Sequence, residues 1–323
     1  MTDRKIIAGH LSVFMTILVW GTTFVSTKVL LTDFTPIEIL FFRIIIGYIT
    51  LLVVYPHPVK TLNLKQEAYF AAAGLFGITL YFLMENIALT YTLASNVGVI
   101  VSIAPFFTAI FAHLFLDGEK LRLRFFSGFI VAIIGIMLIG LNGNYVLKLN
   151  PLGDILAVLA AIVWAVYSVL MKKISGFQHN TIGCTRKVFF YGLFFMIPAM
   201  FIFNFKLGLY RFTNQSNLLN IIYLGFGASA ICFVSWNWSV KILGAVKTSI
   251  YIYMIPVITA GASAVLLHEN ITGIAIAGII LTLAGLFISE GKQVVKLRIK
   301  ISDIRIRYKM CYRHSFMCDK EAK

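Results

Sequence analysis

Apolar residues run in stretches of about 20, the length that crosses a bilayer's hydrocarbon core, and polar residues collect in short breaks between them. The runs fall at 10–30, 35–55, 67–90, 94–116 and 124–141, and again at 152–171, 182–204, 217–240, 246–267 and 272–289. This pattern predicts an all-α membrane protein with ten transmembrane helices, five in each half. The first run is too long for a secretory leader and lacks a small-residue cleavage pattern, so it reads as a retained helix. A turn-rich connection at 142–151, with Gly143, Asn144 and Asn150, separates a first unit at 10–141 from a second at 152–289. The remaining breaks are short, which makes neighbouring helices antiparallel and leaves no room for a soluble catalytic domain.

The two halves carry the same marks in the same order. Asn86, Ala94, Pro105, Glu119, Gly128 and Gly135 are followed by Asn237, Ala245, Pro256, Glu269, Gly278 and Gly285. The offset is 151 residues as far as the proline and 150 after it. Upstream, Trp20 and Lys28 match Trp164 and Lys172 at an offset of 144. Five helices is an odd number, so the second unit enters the membrane from the opposite side. The expected architecture is therefore an inverted repeat, the arrangement of many secondary transporters.

Composition supports the membrane reading and orients it. Hydrophobic residues make up 59% of the chain, charged residues 13%, and the mean hydropathy is +0.89. With the N-terminus inside, the inner segments hold Arg4, Lys5, Lys60, Lys65, Lys120, Arg122, Arg124, Lys172, Lys173, Lys241 and Lys247. The outer segments hold only Lys28, Lys148, Lys206 and Arg211. Eleven cations against four put both termini in the cytoplasm of a multi-pass protein of the cell's inner or plasma membrane. About half of the net charge of +15 sits in a tail at 290–323, where ten Lys or Arg stand against three acids from Gly291 onward. A basic segment just beyond a span is drawn to anionic lipid by about 1 kcal/mol per charge, and this reading is preferred to a nucleic-acid partner. Cys184 and Cys232 lie in apolar runs, and Cys311 and Cys318 around His314 match no zinc spacing, so neither a metal nor a cofactor is expected.

Certain segments tie these marks to a known family. They are Trp20-Gly21-Thr22-Thr23-Phe24, Ala88-Leu89-Thr90-Tyr91-Thr92 followed by Ala94-Ser95, and Pro105 with Glu119, each with a second-half counterpart in Trp164, Ala245, Pro256 or Glu269. The chain resembles the EamA-type transporters of the drug/metabolite transporter superfamily over about residues 10 to 289. The resemblance implies two five-helix EamA repeats forming a carrier of small metabolites, often amino acids or drug-like molecules, frequently exported. Trp164-Ala165-Val166-Tyr167-Ser168 lacks the Gly-Thr of the first half, so the two halves are expected to line the cavity differently.

A carrier needs a pocket near the midplane, at the interface of its repeats. Trp20, Tyr81, Asn86, Trp164, Tyr167 and Asn237 are polar-tipped residues placed to line it, with Trp236, Trp238, Tyr251 and Tyr253 as lesser candidates. The aromatic residues also suit the headgroup level, and the asparagines also suit bonds between helices. Arg43 and Glu85 fall at similar depths in adjacent antiparallel spans. A charge at that depth costs at least about 2.5 kcal/mol. The two form either a static ion pair or a switch in which Glu85 alternately takes Arg43, a proton or a substrate ammonium, or they stay apart. Pro105 and Pro256 lie mid-span and are expected to kink their helices as hinges. The Gly128/Gly135 and Gly278/Gly285 pairs suit a close helix seam, within one scaffold or between the copies of a homodimer. Glu119 and Glu269 are expected to cap helix starts.

No nucleophile with its base, metal cluster or phosphate loop appears, so the chain is not expected to be an enzyme or a nucleotide-driven pump. The competing reading is a membrane scaffold or sensor with no solute flux.

Overall fold

The computed structural model describes residues 3–92, 94–117, 123–140, 150–266 and 272–290. Every regular element among the described residues is a helix, and no strand occurs among them. In chain order the helices are α1 (Asp3–Leu30), α2 (Pro36–Val54), α3 (Leu64–Tyr91), α4 (Ala94–Val101 and Ala104–Phe115) and α5 (Leu123–Gly140). The second half gives α6 (Pro151–Ser175), α7 (Thr181–Ile202), α8 (Gln215–Leu243), α9 (Ala245–Ile250, Tyr251–Tyr253 and Met254–Leu266) and α10 (Gly273–Glu290). Eight of these are long and apolar enough to cross a membrane. The other two, α5 and α10, are apolar but shorter. Glu119, Glu269, most of the 142–151 connection and the tail with its two cysteines and His314 lie outside the described residues.

Local chemistry sets the helix starts. Asn63, Asn150, Asn180 and Asn214 each accept a hydrogen bond from an amide of the first turn they precede, opening α3, α6, α7 and α8. Asn63 and Asn214 are themselves 151 residues apart. The Thr35 amide donates to Glu38 Oε2 at 2.8 Å and Pro36 occupies the first turn, which fixes the start of α2.

The repeats depart from regular helix at matching places. Inside α3, Leu75–Leu80 is π-helical, and inside α8 the π-helical stretch is Tyr223–Ile231. Gly74 and Gly77 accompany the first, Gly225 and Gly227 the second. A Cβ on Gly74 would lie 2.8 Å from the Val188 carbonyl of α7, and one on Gly225 would lie 2.7 Å from Ile46 of α2. These glycines let α3 press on α7 and α8 on α2. In α4 and α9 the α-helix breaks at residues 102–103 and 251–253. Each break ends two or three residues before the expected proline, Pro105 or Pro256, whose ring excludes the carbonyl four residues earlier.

The two small-residue faces meet each other. A Cβ on Gly135 would fall 2.6 Å from the Gly278 carbonyl oxygen, and one on Gly285 would fall 2.6 Å from that of Gly128. The α5–α10 seam is thus made within one chain, between the last helices of the two halves.

Candidate functional site

Trp20 of α1 and Trp164 of α6, the duplicated tryptophans, meet edge-on at a ring separation of 5.2 Å in the centre of the bundle. Trp236 of α8 packs 5.1 Å from Trp20 and 5.4 Å from Trp164, and Phe233 completes the cluster at 5.5 and 5.8 Å. Trp236, only a lesser candidate from the sequence, is fully buried at the core of the bundle.

A small cavity opens beside this cluster. Trp20, Trp164, Arg43, Tyr81 and Glu85 line it, together with Thr23, Phe24, Phe82, Phe233 and Ile255. Its free space is about 20 Å³, room for one water molecule. Five of the polar or aromatic candidates therefore converge on one point. Asn86, Tyr167 and Asn237 do not line it. Asn86 donates from Nδ2 to the Pro36 carbonyl at 3.1 Å. The Tyr167 hydroxyl donates to Asn237 Oδ1 at 2.8 Å, and Asn237 Nδ2 donates to Thr185 Oγ1 at 3.0 Å, forming a buried seam joining α6, α8 and α7.

Arg43 and Glu85 share the cavity and attract each other across it, but no direct ion pair joins them. Arg43 instead donates from Nε to Ser229 Oγ at 3.2 Å and lies 3.9 Å from the centre of the Phe82 ring. Ser229 belongs to the π-helical stretch of α8. Trp20 also bonds to that stretch, donating from Nε1 to the Ala228 carbonyl at 3.0 Å. Its repeat counterpart does not. Trp164 Nε1 and Glu85 Oε2 are buried without a hydrogen-bond partner. An unused donor and an unused acceptor thus lie in the lining of one cavity, and leaving such groups unsatisfied costs about 1–3 kcal/mol each.

The duplicated lysines have a different task. Lys28 Nζ donates to the Leu89 carbonyl at 2.5 Å and the Thr92 carbonyl at 3.4 Å, at the end of α3. Lys172 Nζ donates at 3.4 Å to the Val240 and Lys241 carbonyls, at the end of α8. Cations there satisfy terminal carbonyls and the negative end of the helix dipole.

Polar clamps close both ends of the bundle, and the sequence reading missed them. On the face bearing the start of α1, Lys187 of α7 pairs with Glu67 of α3 at 2.7 Å, and Tyr191 and Thr61 also bond to that carboxylate. Arg186 donates to the backbone carbonyls of Tyr55 and His57 in the α2–α3 loop. These bonds tie down that loop. On the opposite face, Arg211, just before α8, pairs with Glu38 of α2 at 2.7 Å, and Asn217 of α8 donates to Asp33 at 2.7 Å. The elements correspond across the repeat: the start of α3 is held to α7, and the start of α8 to α2. No group of three or more potential metal ligands occurs among the described residues.

Comparison with known proteins gives the duplication a lineage. The sequence model of the EamA-like transporter family matches residues 7–141 and again 151–290. An "Uncharacterized transporter" of Archaeoglobus fulgidus is 25% identical over 289 residues, covering 88% of this chain and 98% of that protein. A "Probable amino-acid metabolite efflux pump" of Escherichia coli (strain K12) is 24% identical over 291 residues, covering 85% and 92%. A crystal structure with 19% identity superposes at a TM-score of 0.69 over 93% of this chain and 99% of the other, a likeness of fold. With both of its halves matched, the chain belongs to the EamA-like transporter family, whose members are membrane transporters and not enzymes.

Proposed function

We propose that this protein is a secondary carrier that exports small amphiphilic metabolites, amino acids foremost, by alternating access. The observation that carries this reading is the central cavity. Repeat-related tryptophans meet there beside a cation and an anion that are not paired with each other, next to an unused donor and acceptor. An amino acid presents complementary chemistry. Its carboxylate suits Arg43 and the Trp164 indole N–H, its ammonium suits Glu85, and its side chain suits the tryptophan faces. The E. coli relative's name is consistent with that class. With room for one water, the cavity must widen to admit a substrate, so this conformation corresponds to an occluded state.

The ten helices span the bilayer as two inverted units, at 10–141 and 152–289. The α5–α10 seam holds the units together, and both termini lie in the cytoplasm. The breaks before Pro105 and Pro256 serve as hinges. Release of the Lys187–Glu67 clamp opens the inner end, and release of the Glu38–Arg211 clamp opens the outer end, one at a time. Gradients drive the cycle, and the basic tail rests on anionic lipid.

Glu85→Gln and Trp164→Ala, each shown to be folded, test the site. Both should reduce saturable amino-acid flux in proteoliposomes by at least about tenfold, the loss expected from removing one interaction of roughly 1.4 kcal/mol. Unchanged flux in both variants would remove the cavity from the mechanism.

A further inference from the structure

Away from the centre, a second cleft of about 610 Å³ opens between α1, α7 and α8 on the face that carries the start of α1. Its polar rim contains Lys5, His179 and Lys241, and no carboxylate lines it. Among the described residues none of these three side chains is engaged in an ion pair or hydrogen bond. The Ile182 and Gly183 amides in the first turn of α7 are already bonded to Asn180 Oδ1, so the charge that meets an anion in the cleft comes from side chains.

The rest of the lining is of another character. Trp238, half-buried, stands beside the cations, and Val234 and Ile242 continue the wall along α8. Farther along α8, toward the bilayer centre, Ile231 and Phe226 are exposed. The cleft therefore grades from cationic, through an indole, to an apolar surface along one spanning helix. That is the order met on going from headgroup to acyl chain in a lipid leaflet. A water-soluble anion would use only the rim.

We propose that this cleft is a binding site for an anionic phospholipid of the leaflet on that face, with its phosphodiester held among Lys5, His179 and Lys241 and an acyl chain lying along α8 past Trp238. The lipid would brace α1 and α7, which flank α8 at this end but are not otherwise closely packed on each other. The site is separate from the proposed substrate cavity, and the inference does not depend on what the protein transports.

Trp238 provides the readout, because Trp20, Trp164 and Trp236 are buried while it is not. The full-length protein is reconstituted with increasing fractions of brominated phosphatidylglycerol or brominated phosphatidylcholine, and tryptophan quenching is followed. Half-maximal quenching should need about 25-fold less of the anionic lipid, about fivefold for each of Lys5 and Lys241. Trp238→Phe should remove most of that signal. Combined Lys5→Gln, His179→Gln and Lys241→Gln should bring the two lipids together, by about fivefold per lysine lost. If the triple variant does not fold, Lys241→Gln alone should narrow the gap by about the same single factor. Equal quenching by both lipids in the unmodified protein would overturn the proposal. So would a preference that survives the substitutions, which would assign it to the basic tail. A preference abolished by millimolar inorganic phosphate would make the cleft a free-anion site and would also overturn the lipid assignment.

Discussion

The Glu38–Arg211 clamp allows a prediction whose size follows from burial. The Glu38 side chain is 1% exposed and Arg211 is 14% exposed, so the pair is largely out of water. Arg211 also donates to the carbonyls of Asp33 and Lys206 and lies 4.2 Å from the Phe34 ring centre. Arg211→Met therefore removes several contacts at once and should cost about 3–5 kcal/mol, the range for breaking a buried pair. Glu38 would keep the Thr35 and Lys206 amides, at 2.8 and 3.0 Å, which keeps the loss from rising further. A double-mutant cycle with Glu38→Gln isolates the pair itself, expected at about 1.5–3 kcal/mol as a charge-assisted hydrogen bond. The same cycle at Lys187–Glu67, where the side chains are 17% and 29% exposed, should give about 1 kcal/mol or less. Reversible unfolding in mixed micelles gives all four corners of each cycle. Equal coupling at the two ends, or coupling below about 0.5 kcal/mol at Glu38–Arg211, would refute the argument from burial.

Other outcomes follow from the same geometry. Gly135→Val places a Cβ 2.5 Å from the Thr282 amide nitrogen of α10 and should lower stability by about 3 kcal/mol or more, measured by thermal unfolding; Gly261→Ala, with open space at its Cβ, should change it by less than about 1 kcal/mol. Lys28→Gln and Lys172→Gln, each removing a cation from a helix end, should cost about 0.5–1 kcal/mol apiece and additively; a strongly non-additive pair would show that the two caps are not independent. Tyr167→Phe leaves Asn237 Oδ1 without its donor and should cost about 1–3 kcal/mol, with Tyr167→Phe/Asn237→Leu recovering part of the loss. Glu85→Gln removes a titratable group beside the proposed substrate, so any dependence of flux on a pH gradient should vanish; a gradient response that persists would return Glu85 to a packing role.

Much of the architecture was readable because duplication leaves marks that survive loop drift. The offsets of 144, 150 and 151 aligned Trp20 with Trp164 and Pro105 with Pro256 before any contact was known. Hydropathy located the helices, since backbone groups in lipid have to bond within their own segment. The fine structure was hidden for physical reasons. A π-helical insertion turns the following residues around the helix axis, so a face counted at regular spacing in α8 misplaces whatever lies beyond Ile231. Trp236 lies beyond that stretch, and the sequence ranked it among the lesser candidates, whereas in the structure it packs on Trp20 and Trp164. The signal was present in the glycine pairs 74/77 and 225/227, which repeat at offsets of 151 and 150. Arg43 and Glu85 were legible as costly charges at similar depth, but the bond that Arg43 makes instead of an ion pair goes to Ser229, 186 residues further along the chain. The end clamps join loops to distant helix starts, contacts that no local pattern encodes.

The most direct test of the central claim is saturable flux of a pooled set of labelled amino acids and related metabolites into or out of proteoliposomes containing the folded protein. The account predicts flux above that of empty liposomes, reduced at least about tenfold by Trp164→Ala. Absence of flux across the pool, from protein shown to be folded, would contradict it and favour a scaffold or sensor.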